Sequence, residues 1–176
     1  MDTVGVLLHP IRLRVVHAFA GDRTLTTSDL GERLPDVPKT TLYRHVGILA
    51  TAGLLEVTGE QRVHGAVERT YRLNRARTRI SAQDAAAMTP DDHRQGFAAA
   101  VAALLADFNA YLDRPDADPT ADSVGYVQVP LWLSQDELAV MVEQVRAVLA
   151  AQVDNAPRSD RRLYLLSPIL FPIDQG

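Results

Sequence analysis

The 176-residue chain contains no cysteine, which excludes disulfide bonds and metal sites built from thiolates. Its first two residues are not basic, and Arg12 and Arg14 interrupt the apolar run that follows, so we expect no secretory leader. No run approaches the roughly 20 apolar residues of a membrane-spanning helix. These absences predict a cytoplasmic protein that does not associate with a membrane, and the length allows one or two small domains.

The sequence also lacks the short motifs that carry common enzyme chemistry. It has no glycine-rich phosphate loop, no Gly-x-Ser-x-Gly sequence and no cysteine nucleophile. None of the five histidines forms a His-x-x-x-His pair, and the cluster Asp91-Asp92-His93 is more typical of a solvated linker than of a metal site. We therefore expect no catalytic residues, no cofactor and no metal.

Lysine is almost missing, since Lys39 is the only lysine among 18 basic residues, and the net charge is −4. The charges are unevenly spread, however: residues 1–80 hold 12 basic and 8 acidic residues, whereas residues 81–176 hold 6 and 14. Such an asymmetry indicates one half that faces a polyanion and one that faces something else. An acidic surface that merely aids solubility is the alternative for the second half.

Residues 1–53 show the pattern of three helices. The first is predicted over residues 3–20, where apolar residues recur at helical spacing and Gly21 follows. Thr26 or Thr27 then caps a short second helix that reaches Leu34. After a proline-containing turn, the third helix covers about residues 38–52. It should bury Leu42, Val46 and Leu49, and Gly53 should cap its end.

Two strand-like runs follow, over residues 54–60 and 67–73, and a short link containing Gly65 joins them. This pattern predicts a β-hairpin. Three helices followed by a hairpin is the order of a winged helix-turn-helix, so residues 1–80 are interpreted as a DNA-binding domain.

The third helix carries the residue types that read DNA from the major groove. Hydrogen-bonding side chains should project from its first turns, whereas the hairpin tip should touch the DNA backbone or minor groove. The predicted DNA-binding residues of the helix are Lys39, Thr40, Thr41, Tyr43, Arg44 and His45, and those of the hairpin are Arg62, His64 and Arg69. For His45, packing in the core is the alternative to a base contact. Arg12 is left open between a phosphate contact and pairing with an acid.

Several of these motifs in sequence order resemble the ArsR-like winged-helix regulators over about residues 4–73. The likeness rests on the opening His-Pro-Ile-Arg at residues 9–12, on Pro-Lys-Thr-Thr-Leu-Tyr-Arg-His-Val at 38–46, on Ala-Gly-Leu at 52–54, and on the run from Arg62 to the closing Tyr-Arg-Leu at 71–73. The resemblance implies a homodimer that binds a palindromic operator. The missing cysteines exclude the cysteine-based metal sensing of some members, and the last hundred residues exceed what a minimal member needs.

A second region, residues 81–176, begins with a polar linker and a long helix over about residues 94–113. Apolar residues alternate there at spacings of four and three, which is typical of a coiled-coil-like seam. Interspersed alanines would allow another helix to approach closely. We predict a dimer interface formed by Phe97, Val101, Leu104, Phe108 and Tyr111. Burial of the seam within one subunit is the alternative.

The last third predicts strand, helix, strand. The strands cover residues 124–133 and 163–171, and Ser134 with Glu137 forms a capping box that opens the helix between them. The helix should bury Leu138, Met141, Val142, Val145, Val148 and Leu149. A ligand-sensing module, a dimer extension and a partner-binding surface all remain open. Four aromatic residues should either pack in the core or line an apolar pocket: Tyr126, Trp132, Tyr164 and Phe171.

The sequence thus predicts an α+β protein, with an N-terminal winged helix-turn-helix followed by a long helix and a strand–helix–strand region. The predicted function is that of a sequence-specific transcriptional regulator, a repressor that binds double-stranded DNA as a homodimer. A small-molecule effector is left open. The alternative function is a winged-helix module that binds a protein or a small molecule without binding DNA.

Overall fold

The fold is that of a computed structural model, which describes residues 3–63, 65–78 and 82–173. The boundary that we predicted at residue 80 lies outside these residues. The elements in chain order are α1 (Thr3–Leu7), α2 (Pro10–Ala18), β1 (Thr24–Thr26), α3 (Thr27–Arg33), α4 (Lys39–Thr51), β2 (Leu55–Val63), β3 (Ala66–Leu73), α5 (Ala82–Ala87), α6 (Pro90–Leu112) and α7 (Gln135–Val153).

The first predicted helix is divided in two, because the His9-Pro10 sequence interrupts the helical backbone. His9 has extended backbone angles (φ −149°, ψ 127°), as residues before proline prefer, and Pro10 starts α2. The imidazole Nδ1 of His9 accepts a hydrogen bond from the backbone N–H of Ile11 at 3.2 Å. His9 is therefore the N-cap of α2, and the prediction of one helix over residues 3–20 is wrong.

The hairpin strands run longer than predicted and leave only residues 64 and 65 between them. Val63 pairs with Ala66, and Gly65 has a positive φ of 84°, which suits a two-residue hairpin turn. The sheet is antiparallel in the order β1-β3-β2. Strand β1 was not predicted, because three residues give too short a pattern to recognise from sequence.

The two helices that follow β1 agree with the prediction. Thr26 caps α3 through a capping box, in which its side-chain oxygen accepts from the Asp29 N–H and the Asp29 carboxylate accepts from the Thr26 N–H at 2.7 Å. Helix α4 buries Leu42, Val46 and Leu49, as expected, and Gly53 follows it with a φ of 71°. The core that these elements share includes Val15, Phe19, Leu30, Leu42, Val46, Leu49, Leu54 and Tyr71.

Helix α6 packs against α2 through small residues. Ala99 and Ala103 are buried, and a Cβ added to Gly96 would lie only 3.0 Å from Leu8. Helix α6 starts earlier than predicted, at Pro90, because Thr89 and Asp92 form a second capping box. The alanines do allow close approach of a helix, but the helix that approaches is α2 of the same chain.

Among the described residues, α6 is the one helix with the length and composition to cross a membrane. This apolar stretch was not recognised from the sequence, because alanines, rather than bulky apolar residues, make up much of it. Only 11% of its most apolar window is buried. Asp107 of α6 nevertheless pairs with Arg14 of α2, a contact that belongs to a helix packed on a protein core.

The C-terminal third departs furthest from the prediction. Residues 124–133 and 163–173 form no strand, because no other described strand lies beside them to complete a hydrogen-bonded ladder. Helix α7 begins at the predicted capping box of Ser134 and Glu137, yet it buries none of its residues. The expectation that α7 packs into a core is therefore wrong within one chain. This correction covers Leu138, Met141, Val142, Val145, Val148 and Leu149.

One buried cation joins three parts of the fold. The Arg14 side chain is only 3% exposed, and its guanidinium donates to both carboxylate oxygens of Asp36, at 2.5 and 2.9 Å. Its Nε donates to Asp107 at 2.6 Å, and His17 lies 3.3 Å from the same carboxylate. Arg14 thereby ties the turn between α3 and α4 to α6.

This network shifts the pKa of Arg14, Asp36 and Asp107 towards the charged form of each group. The hydrogen bond to Asp36 raises the pKa of Arg14, despite burial. Burial pushes the pKa of Asp107 upwards, but hydrogen bonds from His17 and Arg14 outweigh it and hold the pKa below its usual value. The hydrogen bond from Arg14 also lowers the pKa of Asp36. Both carboxylates therefore stabilise the fold above their ordinary pKa, and this contribution is lost as the pH falls through their lowered values.

We predict that Arg14→Leu lowers the free energy of unfolding by about 3 kcal/mol, because it removes the cation that Asp36 and Asp107 share and leaves Asp107 with His17 alone. Urea unfolding at neutral pH measures the change. Arg94→Leu is the matched control, since Arg94 pairs with Asp91 on an exposed surface and should change stability by less than about 0.5 kcal/mol. Equal, small losses in both variants would show that the Arg14 network does not support the fold.

Candidate nucleic-acid interface

Helix α4 presents one face to the core and leaves the other open. Lys39, Thr40, Tyr43 and Arg44 are exposed, and Tyr43 is 59% exposed, whereas Thr41 is half-buried. No side chain caps the start of α4, where Pro38 is the N-cap. The backbone N–H groups of the first turn thus add to the hydrogen-bond donors at this end of the helix.

Gly47 lies on the open face of α4, and its lack of a side chain is not required by packing. A Cβ built at this position would meet nothing within 4 Å. Glycine inside a helix costs roughly 0.5–1 kcal/mol relative to alanine. A glycine that destabilises its helix without relieving a contact is consistent with close approach of a partner to this face. Gly47 was not predicted as a functional residue from the sequence, where the available signal was a glycine in the interior of the predicted third helix.

His45 is buried, with 1% exposure, so it is not positioned to contact DNA as one of our two readings expected. Its Nε2 lies 3.3 Å from an Arg44 nitrogen, and its Nδ1 has no hydrogen-bond partner among the described residues. Burial, His9, Arg44 and Arg12 together lower the pKa of His45 to about 4. His45 is therefore neutral at pH 7, and its Nε2 accepts a hydrogen bond from the Arg44 guanidinium.

A group of nitrogen-bearing side chains extends from α4 to the start of α2. The rings of His9 and His45 lie 4.3 Å apart, and burial, Arg12 and Arg44 lower the pKa of His9. Arg12 donates to the carbonyl oxygens of Val6 and Gly5, and burial and Arg44 lower its pKa. Within the described ranges Arg12 forms no ion pair, so of the two roles left open for it, pairing with an acid is not observed.

The predicted DNA-binding residues of the hairpin differ in whether an acidic residue pairs with them. Arg62 is exposed and takes part in no ion pair within residues 3–63, 65–78 and 82–173. Arg69 is exposed as well, but its Nε donates to Glu60 of the neighbouring strand at 2.8 Å. His64 lies outside the described residues. Of the three predicted hairpin contacts, Arg62 therefore offers an uncompensated positive charge.

The predicted dimer seam is only partly open. Phe97 and Val101 are exposed, whereas Leu104, Phe108 and Tyr111 are half-buried. The Tyr111 hydroxyl donates to Asp122 at 2.8 Å. The face of α6 that packs within the chain is formed by Ala99 and Ala103, so the larger apolar side chains beside it remain available to a partner.

The described residues bring together no group of three histidines or acids that could hold a metal ion. The chemistry of this surface is that of hydrogen-bond donors and positive charge. Lys39 and Arg44 on the helix and Arg62 on the hairpin are exposed and form no ion pair in the described structure. Such groups bind phosphates and base edges.

Residues 7–58 match the family model of a helix-turn-helix domain. The match covers α2, β1, α3 and α4 and ends within β2. It supports a helix-turn-helix DNA-binding regulator. No curated protein matches the chain. The helix-turn-helix domain accordingly contains α4, with Lys39, Thr40, Tyr43 and Arg44 on its open face.

We predict that Gly47→Ala stabilises the helix-turn-helix domain by about 0.5–1 kcal/mol and that Gly47→Gln weakens DNA binding at least roughly tenfold. Alanine removes the conformational cost of glycine, whereas the longer side chain of glutamine blocks close approach to α4. Thermal unfolding and fluorescence anisotropy with duplex DNA measure the two effects. Unchanged affinity in Gly47→Gln, with the fold intact, would mean that no partner approaches this face closely.

We also predict that the fold loses stability as the pH falls from 6.5 to 4, in part because of His45. The pKa of His45 is lower in the folded state, so the unfolded chain takes up the proton first and is favoured, by up to roughly 3 kcal/mol near pH 4. His45→Leu should reduce this pH dependence, whereas His93→Leu, at an exposed position of α6, should leave it unchanged. Urea unfolding at several pH values measures it, and equal slopes in both variants would contradict the prediction.

Proposed function

We propose that this protein is a sequence-specific transcriptional repressor that binds a palindromic operator as a homodimer. The observation that carries the proposal is the open face of α4, where hydrogen-bonding side chains and unpaired positive charge lie beside Gly47. A major groove admits one helix and is read by such side chains from its first turns. An apolar and neutral face would instead have favoured a protein partner.

Each of the predicted DNA contacts has a different part in this proposal. Arg44 reads a base edge and Lys39 binds a phosphate, while Thr40, Thr41 and Tyr43 contact phosphates or thymine methyl groups. Arg62 contributes to the contact of the hairpin with the DNA backbone. Arg69 contributes less than we first expected, because Glu60 compensates its charge.

A homodimer is proposed because two-fold symmetry in the protein matches a palindrome in the DNA. The exposed apolar residues of α6, Phe97 and Val101, support an interface on that helix. Repression requires no partner besides DNA, since a bound dimer excludes other proteins from the same site. An effector that would control binding stays open.

The finer assignment to ArsR-like regulators is part of the proposal and rests on the motifs over residues 4–73 and on the winged order of elements. We also propose that the protein acts in the cytoplasm and is not an enzyme. The missing cysteines support the first, and the absence of catalytic motifs from the sequence supports the second.

We predict that Arg44→Ala lowers affinity for the operator by about 1–3 kcal/mol and relaxes sequence preference at one position of each half-site. Selection of bound fragments from random DNA provides the operator, and titrations at several salt concentrations compare it with random duplexes. If Arg44 binds a phosphate instead, all sequences should weaken alike and the salt slope should fall by about one unit per contact.

Arg94→Ala provides the control, because Arg94 is exposed in the first turns of α6, outside the helix-turn-helix domain, pairs with Asp91, and should change neither affinity nor slope. If a folded Arg44→Ala variant behaves like this control, α4 does not read DNA. The winged-helix module that binds a protein or small molecule would then be the better account.

A further inference from the structure

We infer that residues 123–173, here called the arm, are covered by the arm of a second copy of this chain. The inference rests on the proposed homodimer and deepens it, because it extends the dimer interface from α6 onto the last third of the chain. The arm comprises α7 and the two flanking segments, residues 124–133 and 163–173, which contain neither helix nor strand.

The arm leaves a large apolar surface uncovered. Its four aromatic side chains are 61–83% exposed, so neither an apolar core nor an enclosed pocket holds them in one chain: Tyr126, Trp132, Tyr164 and Phe171. An aromatic side chain buries roughly 150–250 Å², so these four alone leave on the order of 500 Å² open. Exposed aliphatic residues of the arm, such as Val127 and Leu166, enlarge this area towards the roughly 800 Å² that each partner buries in a stable interface.

The backbone of the two segments also lacks partners. Within the described residues, no backbone N–H or C=O group of residues 125–133 or 163–173 bonds to another backbone group. Successive residues of an extended chain direct these groups to opposite edges. All prolines of the segments, Pro130, Pro168 and Pro172, stand at even positions, so only the odd-numbered edge of each segment keeps every N–H donor. Each segment can therefore pair with one neighbour, as an edge strand does.

The arm is attached to the rest of its own chain without being covered by it. Tyr126 and Phe171 contact Phe108 and Phe97 of α6 edge-on, with ring centroids 6.4 Å apart in both pairs. Asp154, which follows α7, accepts from Arg75 at 2.6 Å. Most residues of α7 and of both segments nevertheless stay exposed between these attachment points, and none of them is buried.

A second copy satisfies all three observations at once. In a two-fold dimer the same surface of both subunits forms the interface. Each proline-free edge would then pair with a strand of the other subunit, and the apolar surfaces of the two arms would pack against each other. The arm is attached to α6 through Phe97 and Phe108, so its interface would be continuous with the one already proposed on α6. The predicted strands over residues 124–133 and 163–171 would then form only in the dimer.

The test uses the full chain and its only tryptophan, Trp132, which is 81% exposed in one chain. Sedimentation velocity from nanomolar to micromolar concentration gives the mass, and acrylamide quenching of Trp132 fluorescence reports its exposure in the same samples. We expect a dimer at micromolar concentration in which Trp132 is shielded several-fold from quenching. Shielding should disappear on dilution together with the dimer.

Val129→Glu and Leu165→Glu each place a charge on one segment, and two-fold symmetry places it twice in every interface. Each should raise the dimer dissociation constant by at least about 100-fold and expose Trp132. Gln83→Glu is the matched control, since it adds the same charge at an exposed position of α5, outside the arm and outside α6, and should leave both readouts unchanged. The fold of the helix-turn-helix domain, followed by thermal unfolding, should persist in all three variants, because the residues that are buried in the described structure all precede residue 104 and none of them is substituted.

A monomer with a shielded Trp132 would overturn the inference, because the arm would then cover itself. A dimer with a fully exposed Trp132 would also overturn it. So would a dimer that Val101→Glu dissociates but the arm variants do not, because α6 alone would then form the interface. Duplex binding by the same samples separates the two proposals. A dimer with shielded arms that binds no DNA supports the arm and contradicts the proposed function.

Discussion

The contacts of Arg14 hold together the parts of the fold that the proposed function needs. A guanidinium this deeply buried is tolerable only because carboxylates on two sides compensate its charge. One of them, Asp36, sits in the turn that leads into α4, and the other, Asp107, sits on α6. A single side chain of α2 therefore links the turn before α4 to α6, and a dimer built on α6 would inherit that connection.

The pairing of arginines with acidic residues also explains how a chain with a net charge of −4 presents a cationic surface. Acids of the second half compensate arginines of the first half at Arg14 and Arg75, away from the open face of α4. Lys39, Arg44 and Arg62 keep their charges uncompensated within the described structure. Net charge alone would have argued against a polyanion partner, whereas the distribution of pairs favours one.

The features that could be predicted from the sequence are those with a local cause. The capping residues Thr26 and Ser134, the glycine after α4 and the buried stripe of that helix each depend on neighbours a few residues away. By contrast, the contact between Arg14 and Asp107 spans 93 residues, and nothing in the pattern around Arg14 identifies its partner. His45 was ambiguous for the same reason, since its burial depends on His9 of α2.

The prediction of two strands in the arm failed for a different reason. The alternation of apolar residues there is a genuine strand pattern, but a strand forms only beside another strand. Sheets that expose an unpaired edge invite further chains to add, and unlimited addition ends in aggregation. The placement of Pro130, Pro168 and Pro172 on one edge of each segment limits this growth, because a strand that accepts one neighbour cannot accept a second. In the dimer that we propose, assembly through these segments would thus stop at a closed pair rather than continue into a fibre.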